Sequence, residues 1–203
     1  MSFKISSHYD NESWTKLSIQ DDLSPNWPKG IDIVKDRFES RFFNQINSIK
    51  DDEFSGFVIM SIDCLLVETL MQFYLGIDST EDQYSHNQKD SFKDFLKNSK
   101  HFATSFNTNE KCYTFYRHFR CGLLHQAQTK DKSKINICRP YLMKLIDEAD
   151  VKKGMIIDRN KFHDNLILEF NDYIERLEKN KLNFKNGNLR INCLKKMNMI
   201  CNK

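Results

Sequence analysis

FSGFVIMSIDCLLVETLMQFYLG, residues 54–76, is the longest apolar run in this chain. Its apolar side chains go nearly all the way round a helical wheel: Phe57, Val58, Ile59, Met60, Ile62, Leu65, Leu66, Val67, Leu70, Met71, Phe73, Tyr74 and Leu75. A helix of that profile, from about Glu53 to Gly76, belongs at the centre of a core. Asp51 or Asp52 can cap its start, and Gly76 can stop its end. Two acids, Asp63 and Glu68, interrupt the run. They leave no uncharged stretch long enough for a membrane span, so none is expected. An ionised acid buried there is costly unless paired. The two lie about 140° apart on a regular helix, so they should find different partners.

The flanking sequence is also helical in pattern. Ile31, Val34, Phe38, Phe42, Ile46 and Ile49 recur every three or four residues and predict a helix over 31–49. Residues 77–90 are polar and read as a loop, followed by a short helix over 91–98. Another helix starts near Thr108 or Asn109, with Cys112, Phe115, Phe119 and Leu123 as its buried stripe. Ile135–Cys138 and Met155–Ile157 are β-prone and suggest a small hairpin, with Tyr141–Asp147 between them reading as helical. Phe162, Leu166, Phe170, Tyr173, Ile174 and Leu177 predict a last helix over about 160–180, capped by Asp158. The fold class is therefore all-α: a bundle of four or five helices with at most a small β-hairpin insertion. Residues 1–30, with Trp14, Pro25, Trp27, Pro28 and Gly30, read as an irregular arm. Residues 31–180 form the helical domain, and 181–203 a basic tail.

Composition agrees. A chain of 203 residues makes one domain, or one with a small appendage. Six Gly and three Pro are too few for a turn-dense β fold, while 16 Phe supply ample core material. A mean hydropathy of −0.63 describes a soluble protein. The polar first ten residues carry no secretory signal, and the six Cys show no CxxC spacing. Reduced thiols in a cytoplasmic protein are the expectation. From Lys179 onward there are seven basic residues and no acid, so residues 1–178, with 24 basic against 28 acidic, carry a net −4. Such a tail reads as a solvated, partly disordered end, or as an arm for an acidic partner.

The stretch that carries chemistry is FYRHFRCGLLHQ, residues 115–126. It holds Arg120, four intervening residues, and His125. On a regular helix these two point about 140° apart, unless the helix bends or ends near Gly122 or a twofold dimer brings two copies together. As isolated residues they would be a surface arginine paired with an acid and a histidine at a helix C-terminus.

With an Arg-x4-His pair at the end of an aromatic helix, the chain resembles the HEPN (higher eukaryotes and prokaryotes nucleotide-binding) superfamily of small helical bundles. Cys121 departs from the polar residue that usually follows the Arg there. The resemblance implies a metal-independent endoribonuclease acting as a homodimer in phage defence or a toxin–antitoxin system, with an antitoxin or regulatory partner. The alternative it implies is a non-catalytic module that binds nucleotide, RNA or a protein.

The residues fit the first activity. RNA carries its own nucleophile, the 2′-OH. A histidine is the natural residue to move protons near neutrality, and His125 supplies one. Arg120 offers a permanent planar cation for the phosphate. The products would be a 2′,3′-cyclic phosphate and a 5′-hydroxyl. Cys121, Glu68 and Asp63 are candidate supporting residues, one of the acids orienting Arg120 or His125. Arg117 and Lys130 are candidates for RNA phosphates, and Tyr116 for stacking on a base. His118, two positions before Arg120, is expected on a solvated face. Cys112, His118, Cys121 and His125 include zinc-type ligands, but their spacing fits no zinc motif, so neither metal nor cofactor is expected. No P-loop, GxGxxG, HExxH or GxSxG occurs.

Overall fold

The computed structural model describes residues 1–81, 88–183, 185 and 187–202. In chain order its helices are α1 (Asn11–Thr15), α2 (Trp27–Phe38), α3 (Asn44–Ile49), α4 (Gly56–Leu75), α5 (Gln88–Asn98), α6 (Asn109–Phe115), α7 (Cys121–Gln126), α8 (Arg159–Glu178) and α9 (Leu189–Cys201). A π-helical turn, Glu39–Phe43, joins α2 to α3, and a second, Tyr116–Arg120, joins α6 to α7. Among the described residues the strands are β1 (Lys134–Asn136), β2 (Met143–Leu145) and β3 (Met155–Asp158), with 3-10 turns at Glu53–Ser55 and Val151–Lys153. The protein is mostly helical with one small sheet.

The caps explain where the elements begin. Asp52 accepts from the Phe54 N–H at 2.8 Å ahead of α4. Thr108 accepts from Lys111 ahead of α6, and Asp158 Oδ1 from Lys161 at the head of α8. Gly76 ends α4 in the left-handed region at φ +66°, with its own N–H and that of Ile77 both donated to the Gln72 carbonyl. Pro28 sits in the first turn of α2, where a missing N–H is harmless. Within the predicted loop 77–90, Thr80 and Glu81 are helical and α5 already starts at Gln88; residues 82–87 lie outside the described residues.

The sheet corrects two expectations. β1 pairs with β3 in parallel and β2 with β3 antiparallel, in the order β1-β3-β2, so it is a three-stranded mixed sheet rather than a hairpin. Within Tyr141–Asp147, residues 143–145 form the edge strand β2 instead of a helix. The backbone donors of β3 give it a ladder that outweighs local propensity.

The chain divides into two compact units. One contains residues 1–48, 70–83 and 170–203; the other contains 49–69 and 84–169. The first has a core of Phe38, Phe43, Phe73 and Phe170, with Phe38 and Phe170 stacked at 4.6 Å. Both ends of the chain belong to it. Trp14 donates its indole N–H to Asn198 at 2.8 Å, and Leu189, Cys193, Leu194, Met197 and Cys201 of α9 are buried. The basic C-terminal segment is thus largely a packed helix rather than a solvated tail. Its apolar residues recur at helical spacing, and Arg190 and Lys196 spend their donors on backbone carbonyls.

The second unit is built on Phe102, Phe106, Phe115, Phe119 and Phe162, with Phe115 stacked on both Phe119 and Phe162 at about 5 Å. Glu53–Leu75 is long and apolar enough to cross a membrane by length and composition, but half of that apolar window is buried inside the protein, as in a core helix.

Candidate functional site

Asp63 and Glu68 find different partners, as their spacing on α4 requires. Asp63 is fully buried, with Oδ1 2.7 Å from His163 Nδ1 on α8. Burial raises its pKa, against the pull of His163. Asp63 therefore belongs to a core pair with His163. Glu68 instead receives Arg120: the Nη2 group lies 3.2 Å from both carboxylate oxygens. Both side chains are partly buried. Burial works against the charge on Arg120, but the Glu68 carboxylate outweighs it and holds the guanidinium above its ordinary pKa.

The π turn sets the stage for this pair. The Cys121 N–H bonds to the Tyr116 carbonyl, five residues back, which inserts one residue into the helical phase. Arg120 ends that turn, and its guanidinium lies 5.9 Å from the centre of the Tyr116 ring. The Tyr116 ring is edge-on to Phe92 at 5.1 Å, and its hydroxyl donates to Gln88. Burial, with Cys121 beside it, pushes the Tyr116 phenol up to about 12. Cys121 is half-buried next to this group.

The helix runs straight through Gly122 and ends at Ala127, which adopts a left-handed φ of +51°. His125 is exposed on the last turn. Within one chain, Arg120 turns inward to Glu68 while His125 faces solvent. Gly122 has a different purpose from the expected bend. A Cβ there would lie 2.5 Å from the Gln128 carbonyl oxygen, because residues 128–130 fold back across the helix. Leu65, one turn before Glu68, and Leu124, one turn after Arg120, are both exposed, as are Phe57 and Val58 farther up α4 and Phe54 just before it. The ion pair therefore joins two helices that each present an apolar residue to solvent close by.

No protein-family model, curated protein or solved structure matches this chain.

His118 is the residue the sequence misplaced. It is 1% exposed, not solvated, and both ring nitrogens are engaged. Nδ1 lies 2.9 Å from Ser133 Oγ, and Nε2 lies 2.8 Å from Asp131. It lies between buried Thr114 and Phe115 on the helical wheel, and residues 130–133 fold over it and supply its partners. Burial lowers its pKa, helped by Arg117 and Lys130 and opposed by Asp131. The order Ser133–His118–Asp131 matches that of a hydrolytic triad. Here it is a latch: Ser133 Oγ also accepts from the Met155 N–H at 3.0 Å, and Gly154 packs against it so closely that a Cβ would sit 2.8 Å away. The Lys130 N–H donates to the His118 carbonyl and fastens the same loop.

Arg117 is exposed beside a small hollow lined by Glu110, Tyr113 and Lys152, and Lys130 is half-buried. The four zinc-type residues have separate surroundings. The Cys112 thiol is buried against the Phe106 carbonyl, His118 is latched, Cys121 is beside Tyr116, and His125 is exposed. A further residue with no sequence signal is Arg159, a fully buried guanidinium at the head of α8. It followed an apolar β-prone run and could be mistaken for an ordinary helix-start cation.

Proposed function

We propose that the protein is a HEPN-like, metal-independent endoribonuclease that works as a homodimer. The observation that carries this reading is the half-buried Arg120–Glu68 pair, flanked one turn away on each helix by exposed Leu65 and Leu124, with His125 exposed just beyond. Exposed apolar side chains beside a fixed cation suit a surface that a second copy covers. A twofold partner would bring two Arg120 and two His125 to one groove, which overcomes their divergence within a single chain.

In that groove Glu68 orients Arg120. Nη2 is bonded to the carboxylate and Nε is buried, so Nη1 is the group that meets a phosphate oxygen. The RNA 2′-OH attacks its own phosphodiester. His125 moves a proton at the attacking or leaving oxygen, while Arg120 stabilises charge on the non-bridging oxygens. The products are a 2′,3′-cyclic phosphate and a 5′-hydroxyl. Arg117 and Lys130 are the cations assigned to flanking phosphates in this reading. Tyr116 serves the site by supporting Arg120, since its ring already meets Phe92 and the guanidinium.

One observation favours a second reading, a non-catalytic module for nucleotide, RNA or a protein. Arg120 is already neutralised by Glu68, as a structural arginine would be. RNA cleavage in EDTA decides between them. Wild type should yield cyclic-phosphate ends, and Arg120→Ala and His125→Ala should each lose activity by at least a hundredfold. Sedimentation should give a dimer. Equal cleavage by all three proteins, or none by a dimeric wild type, overturns the nuclease reading.

A further inference from the structure

A cavity of about 530 Å³ opens at the head of α4, lined by Glu53, Phe54, Phe57, Lys134, Ile137 and Arg159 among others. It is separate from the Arg120 pair: Glu68 lies twelve residues, roughly 18 Å, farther along the same helix. Its volume lies in the range of small-molecule sites.

The cavity is distinguished by Arg159. This side chain is 1% exposed, yet no carboxylate pairs with it among the described residues. Its Nη2 group donates to the carbonyls of Asp52 at 2.5 Å and Lys50 at 3.3 Å. Nε is buried with no hydrogen-bond partner among the described residues. The adjacent Asp158 is committed elsewhere, accepting from the Arg139 and Lys161 backbone N–H groups. A buried guanidinium normally demands a counter-charge, because carbonyl dipoles only partly repay its lost hydration. Gly56 makes the position attainable: a Cβ there would meet Nη1 at 3.0 Å. The same glycine begins the 20-residue helix α4, whose positive dipole end points to this region.

We propose that this cavity binds a small organic phosphate monoester. The phosphate sits on Arg159 and the apolar body lies against Phe54 and Phe57. Two cations, Arg159 and the exposed Lys134, stand against one acid, the exposed Glu53, and this balance suits a dianion. The planar fork of Arg is built for phosphate oxygens. Phe54 and Phe57 are exposed, and a flat apolar body would cover them.

Calorimetric titration of the full chain with phenyl phosphate, inorganic phosphate and phenol tests the assignment. Phenyl phosphate should bind saturably and at least tenfold more tightly than either fragment. Arg159→Gln should abolish binding, and Phe57→Ala should remove the advantage over inorganic phosphate. Should Arg159→Gln not fold, the Arg159 Nε–H resonance of the wild type decides: a saturable shift with phenyl phosphate supports the site. An unmoved resonance, no saturable binding, or binding that both variants retain overturns it. None of these measurements uses RNA, so the outcome is independent of the nuclease reading.

Discussion

His118 shows how one side chain can tie a loop to a helix and make it sensitive to acid. The ring is buried and held below its ordinary pKa of 6.5, mainly by burial. The unfolded chain therefore binds a proton that the folded chain resists. Its contribution to stability is fully present above about pH 6.5 and is lost as pH falls through the lower folded value. Urea unfolding at pH 7.5 and 5.5 should show wild type losing more stability on acidification than His118→Asn. Equal losses would refute the assignment. The acids of α4 were legible beforehand, because five residues of regular helix send Asp63 and Glu68 to different sides, and they do meet His163 and Arg120. His118 was not, because the loop that covers it, residues 130–133, meets it only through the tertiary fold. Arg159 was hidden for another reason: its isolation comes from what is missing around it, which sequence does not display.

The segment from Tyr116 to Lys130 works as one device: a π turn, a short helix, a left-handed stop and a returning strand of backbone. Its tightest point is Gly122, where Gly122→Ala would drive a Cβ against the Gln128 carbonyl, an atom of backbone that cannot rotate away. The expected cost is about 1–3 kcal/mol, measured by chemical denaturation. The stop offers the opposite change. Ala127 holds φ +51°. Ala127→Gly relieves that strain but loosens the unfolded chain, for a net gain of about 0.5–1 kcal/mol and a Tm rise of a few degrees. The helices over 31–49, 53–76 and 160–180 could be read from periodicity because long amphipathic or apolar runs overdetermine them. β2 could not, since Met143–Leu145 becomes a strand only through the edge that β3 supplies.

The two compact units are not consecutive lengths of chain, and residues 1–30 and 181–203 are integral to one of them. Leu189, Cys193, Leu194, Met197 and Cys201 recur at helical spacing, but the surrounding charge concealed the pattern. Met197→Ala should cost about 2–4 kcal/mol by thermal or urea unfolding. Lys195→Ala on the exposed side should change stability by less than about 0.5 kcal/mol. A merely solvated end would make the two variants alike. The bond from Trp14 to Asn198 spans 184 positions. At roughly 5–20 residues per second of synthesis, residues 1–48 would wait on the order of 7–28 s before α9 leaves the ribosome. Until then the indole N–H of Trp14 lacks its Asn198 acceptor, although its ring can already lie against Gly30 of α2. The nascent protein must pass this interval with one unit open, a window for chaperone capture or for entanglement with a neighbouring chain, which slower translation would lengthen.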